Sequence, residues 1–102
     1  MIFNPVRSGG RKSQFQVEIT GTTSSARYVI VNGQRYKENA IVVAPKNANI
    51  TIVVYSGDSV QFNGVNCFMN VTSDNARFAV PLLTDYKIEI NYSKTTITSE
   101  YQ

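Results

Sequence analysis

The sequence predicts an all-β chain folded as a single antiparallel β-sandwich of immunoglobulin type, with a small β-barrel as the alternative. Three observations carry that expectation. Apolar residues recur with a period of two from Ser13 onward, and two Asn-Gly pairs sit between runs of β-forming residues. Turn-forming clusters of Gly, Ser, Thr, Asn and Asp recur about every 8 to 12 residues, which fits about seven to nine short strands. No segment sustains the three-and-four spacing of an amphipathic helix, so no long helix is expected.

The first strand is "FQVEIT", with Phe15, Val17 and Ile19 on one face and Gln16, Glu18 and Thr20 on the other, the alternation of a half-buried strand. "GTTSS" ends it. "RYVIV" and "QRYK" flank Asn32-Gly33, and "VQF" and "VNCFMNV" flank Asn63-Gly64. Each pair predicts a type I′ hairpin, because that turn needs positive φ at both central residues and Asn and Gly accept it most readily. "NAIVVA" is apolar on consecutive positions, which predicts burial on both sides or a change of sheet. In "ANITIVVYS", Ile50, Ile52 and Val54 face one way, and Thr51, Val53 and Tyr55 face the other; that second face is apolar enough to be covered. "ARFAV" is a strand stopped by Pro81. "TDYKIEINYS" then places Tyr86, Ile88, Ile90 and Tyr92 inward and Lys87, Glu89 and Asn91 outward. "TTITSEYQ" is expected to add a short edge strand guarded by polar side chains. The expected core contains Ile19, Ile52, Val54, Phe62, Phe78, Ile88 and Ile90.

A chain of 102 residues is one domain by size. Within it, residues 1–12 form an N-terminal arm and residues 13–102 the β-sandwich domain. The arm holds Pro5, Gly9 and Gly10 and has no packing period, yet carries the apolar residues Ile2, Phe3 and Val6. Those three gain stability only by burial, so the arm is expected to bind a neighbouring subunit, with Arg7, Arg11 and Lys12 meeting an acidic surface.

The net charge of +3 is mild and concentrated in that arm. Without a basic stripe interleaved with aromatics, no nucleic-acid partner is expected. No run approaches the ~18 consecutive apolar residues needed to span a bilayer, and the opening residues carry no signal-peptide pattern, so no membrane partner is expected and synthesis in a cytoplasm is. The Asn-X-Ser/Thr triplets at Asn49, Asn70 and Asn91 are accordingly expected to go unused.

Candidate chemistry is sparse. The chain has no histidine, which removes the commonest general base and metal ligand. Its single cysteine, Cys67, excludes an internal disulfide and is expected to be a buried, inert thiol. The seven acids lie mostly at turns or on outward strand faces and are expected to be solvated; Asp58, Asp74 and Asp85 lack the spacing of a calcium loop. These features predict a protein that is not an enzyme and holds no catalytic residue, cofactor or metal. Among the aromatics, Tyr36, Tyr55 and Tyr101 are expected to be exposed, and Tyr36 and Tyr55 are candidates for facing a surface glycan.

The opening "MIFNPVRSGG" resembles the starts of small proteins encoded among the virion genes of bacteriophages and prophages of Gram-positive bacteria. The body, in "VNGQRY", "APKNANITIVV" and "DYKIEI", resembles the small immunoglobulin-like modules of bacterial surface proteins and phage heads and tails. The resemblance implies a structural or adhesive part of a virion, a head or tail accessory subunit. Its partners would be other virion proteins or copies of itself, attached through one end and presenting loops at the other. A module that binds a host-surface glycan is the alternative.

Overall fold

The computed structural model describes residues 13–21, 27–68, 71–91 and 93–99. The expected arm with its candidate residues, and Asn70, Tyr92 and Tyr101, lie outside them. In chain order the described strands are β1 (Gln14–Thr20), β2 (Tyr28–Val31), β3 (Gln34–Tyr36), β4 (Ala40–Pro45), β5 (Asn49–Val54), β6 (Ser59–Phe62), β7 (Val65–Phe68), β8 (Ala76–Pro81), β9 (Tyr86–Ile90) and β10 (Lys94–Ser99). They form two sheets, ordered β4-β1-β9-β10-β6-β7 and β3-β2-β5-β8.

The two sheets pack face to face as a sandwich because the period-two apolar sets of both point at one another. Val17, Ile19, Ile88, Ile90 and Ile97 of the six-stranded sheet meet Val29, Val31, Ile50, Ile52 and Val54 of the four-stranded sheet in one core. Phe62 and Phe78 pack at its margin, and Phe68 stacks on Phe78 across the sheets at 5.9 Å. All seven expected core residues therefore contribute. Both Asn-Gly pairs make the expected turns, with φ of 52° and 88° at Asn32 and Gly33 and of 50° and 84° at Asn63 and Gly64.

The pairing is less uniform than expected. Six of the eight strand pairings are antiparallel, but β1–β9 and β10–β6 are parallel. A parallel neighbour must be reached by a crossover rather than a hairpin, and both pairs join strands distant in the chain. The C-terminal segment is also no edge. Strand β10 lies between β9 and β6 with Ile97 fully buried, because Thr95, Ile97 and Ser99 form an inward face that its polar composition disguises.

Strand β4 corrects another expectation. Val42 and Ala44 face the core, but Ile41 and Val43 are 67% and 62% exposed, since β4 closes one side of the six-stranded sheet and nothing described covers its outer face. On β5 the second face is covered as expected at Val53, which is fully buried, and at Thr51.

Candidate functional site

The residues singled out for chemistry are dispersed. Asp58 is no solvated turn acid: it is 3% exposed and engaged by Arg27 through Nε at 2.7 Å and Nη2 at 3.0 Å. Its carboxylate also accepts the Tyr55 N–H at 2.9 Å, which closes the turn between β5 and β6. Asp74 accepts the Ser56 N–H and Asp85 the Gln16 N–H. Among the described residues no three potential metal ligands come together. Each of the three aspartates is therefore used as a backbone clamp, the role that short acidic side chains fill in turns.

Cys67 is exposed, contrary to expectation. It lies on β7, the other edge of the six-stranded sheet, where Val65, Asn66 and Cys67 all face solvent and Phe68 turns inward. Its alternating neighbours predicted a buried strand; the edge position overrides that pattern.

The two candidate ligand-facing tyrosines are also separate. Tyr36 pairs with the core residue Val29 and packs against the core, so it is half-buried rather than exposed. It lines an open cleft of about 460 Å³ along the β3–β4 connection with Arg35, Lys37 and Glu38. Tyr55 is 36% exposed, but its ring lies beneath the Arg27 guanidinium at 5.3 Å. Neither offers an unoccupied aromatic platform shared with the other.

The sequence predicts assembly through the N-terminal arm and the sheet edges but does not say which edge, and among the described strands the fold sets one edge apart from the others. The described strands of the two sheets leave four edges. On the four-stranded sheet, β3 is only three residues long and carries Arg35, and β8 carries Arg77 and ends in Pro81; short length, charge and proline all discourage further pairing. On the six-stranded sheet, β7 is four residues long and its pairing with β6 is broken by a bulge between Val60 and Gln61. Strand β4 has six residues, an unbroken register with β1 and no charge. Its only guard is Pro45 at the very end. Ile41 and Val43 stand on its outer face, opposite Glu18 and Gln16 of β1.

A hydroxyl in the row Val42–Val17–Tyr86, two strands in from β4, ties the two sheets together. Tyr86 Oη donates to the Pro81 carbonyl at 2.7 Å and accepts the Leu83 N–H at 3.3 Å, tying the start of β9 to the end of β8 across the two sheets. Burial pushes the Tyr86 pKa above its ordinary value, against a smaller lowering by the Leu83 N–H.

Compared with protein-family models, curated proteins and solved structures, the chain matches none. No helix among the described residues is long and apolar enough to cross a membrane.

Proposed function

We propose that the chain is a non-catalytic structural subunit that joins a second copy of itself by pairing the open edge of β4. The single observation that carries this reading is the uncharged, regular six-residue edge with Ile41 and Val43 exposed beside it. An isologous interface must be self-complementary, and a strand without charge meets no like-charge repulsion when it pairs with itself. Two antiparallel β4 strands would supply backbone hydrogen bonds, and Ile41 and Val43 of each copy would pair across the join.

Magnitudes set the kind of assembly. Ile41 and Val43 are about two-thirds exposed, so covering them contributes about 2–4 kcal/mol per copy, or about 4–8 kcal/mol for a pair of copies, comparable with the lower estimates of the freedom lost on association, about 4 kcal/mol and upward. The pair therefore makes a modest two-body contact that gains strength when repeated in a multivalent particle. That behaviour suits the virion setting implied by the sequence resemblance, as a head or tail accessory protein with an immunoglobulin-like domain. The Tyr86–Pro81 bond, which resembles the tyrosine corner of such domains, supports that finer fold reading, although the strand order with its two parallel pairs is different.

Light-scattering mass measured across a concentration series tests the proposal. Wild type should form dimers or larger species, and Ile41→Lys with Val43→Lys should be a folded monomer. A wild type that stays monomeric at all concentrations, or a variant that still assembles, would overturn it.

A further inference from the structure

Two exposed turns each carry a side-chain amide open to attack by the chain's own backbone. Asn32-Gly33 and Asn63-Gly64 face solvent, and nothing lies within 4 Å of where a Cβ would stand at either glycine. Before a glycine, the next backbone nitrogen reaches the asparagine side chain with least hindrance, because glycine has no side chain in the way. The other described asparagines with positive φ, Asn47 and Asn75, precede Ala48 and Ala76, whose methyl groups obstruct the approach.

The closed turn resists this attack. In the left-handed conformation of Asn32 and Asn63, at φ of 52° and 50°, the following nitrogen points away from the side chain, so the turn must open first. What ties each turn down therefore decides which one reacts. Both asparagines donate a backbone N–H to another strand, Asn32 to the Asn49 carbonyl and Asn63 to the Ile97 carbonyl. Among the described residues only Asn63 is also held by its side chain, whose Oδ1 accepts the Ser99 N–H at 2.9 Å from the interior strand β10. The Asn32 turn closes on β3, an edge strand of three residues.

We infer that Asn32 is a site of spontaneous deamidation, with water as the co-reactant, and that Asn63 is its protected counterpart. The Gly33 nitrogen gives its proton to hydroxide and bonds to Asn32 Cγ; the Cγ–Nδ2 bond breaks, and ammonia leaves with a proton taken from water. Water then opens the cyclic imide at one of its two carbonyls, giving aspartate or isoaspartate, and no electrons are transferred. Either product places a new carboxylate on the turn. Isoaspartate also adds one backbone atom to the loop, and because the loop sets hairpin register, it unsettles the pairing of β3 with β2 that starts at Val31 and Gln34.

This inference is independent of the β4 edge. The full chain is incubated in mildly alkaline buffer, folded and, in parallel, unfolded in urea. Each site is followed by peptide mapping, with isoaspartyl methyltransferase labelling to mark isoaspartate. In urea the two Asn-Gly pairs should react at similar rates, since the local sequence alone then acts. In the folded chain Asn32 should react several-fold faster than Asn63, and Gly33→Ala should suppress the reaction at Asn32 while leaving Asn63 as in wild type. Asn63 reacting as fast as Asn32 in the folded chain would overturn the proposal, as would an Asn32 that stays intact there while it reacts in urea. Ile41→Lys with Val43→Lys should leave both rates unchanged, which separates failure here from failure of the edge-pairing reading.

Discussion

Arg27 holds Asp58 by two hydrogen bonds, at 2.7 Å and 3.0 Å, with side-chain exposures of only 15% and 4%. The pair fastens the start of β2 to the turn between β5 and β6, a join that backbone pairing does not make. Removing the Asp58 carboxylate takes away both of these bonds and the acceptor of the Tyr55 N–H, and breaking a buried pair costs about 3–5 kcal/mol. Asp58→Ala should therefore lower stability in urea unfolding by roughly that amount. Replacing both residues with apolar ones should cost less than the single change; a larger loss in the double variant would contradict this account.

Gly21 is required by contact as well as by conformation. It follows β1 at φ +79°, and a Cβ there would collide with the Ile90 carbonyl oxygen. Gly33, at φ +88°, has open space around it. Gly33→Ala should cost about 1 kcal/mol from backbone strain alone. Gly21→Ala should cost distinctly more, since backbone must move. Thermal melts of the two variants give the order, and a reversed order would show that the end of β1 is misplaced.

Thr95 presents the opposite case. Its Oγ1 is buried, and among the described residues it has no hydrogen-bond partner. Because an unsatisfied buried hydroxyl costs about 1–3 kcal/mol, Thr95→Val should be neutral or stabilising in a chemical denaturation curve. A clear loss of stability would reveal a partner for the hydroxyl.

The buried Tyr86 sets an alkaline limit. Its folded-state pKa lies above the ordinary tyrosine value of about 10, so the unfolded chain loses this proton first as pH rises. Stability from this group is fully present below about pH 10 and declines above it, until the folded state also ionises. Tyr86→Phe should lose about 1 kcal/mol at neutral pH, with the bond to Pro81. It should also show a shallower fall in stability between pH 9 and 11. Parallel pH profiles would contradict the assignment.

Most of the fold was legible in the sequence because alternation and Asn-Gly turns are local signals. Ile88 and Ile90, or Asn63 and Gly64, declare their roles from their immediate neighbours. What escaped was decided by position within a sheet. The pattern at Ile41 to Val43 reads as doubly buried until β4 is known to be an edge. Cys67 and the C-terminal Thr-rich strand fail the same way in opposite directions. The partnership of Arg27 with Asp58 spans 31 residues, and no local spacing announces it. The candidate site belongs to this second class: an open edge is a property of strand order, and strand order here includes two parallel crossovers.

Amide hydrogen exchange along β4, compared at low and high protein concentration, tests the edge-pairing claim most directly. Only the edge strand that pairs should gain protection on assembly. The account predicts slower exchange within residues 41–44 at high concentration, with β3, β7 and β8 unchanged. Exchange at β4 that is independent of concentration while the protein assembles, or new protection at β7 or β8 instead, would contradict it.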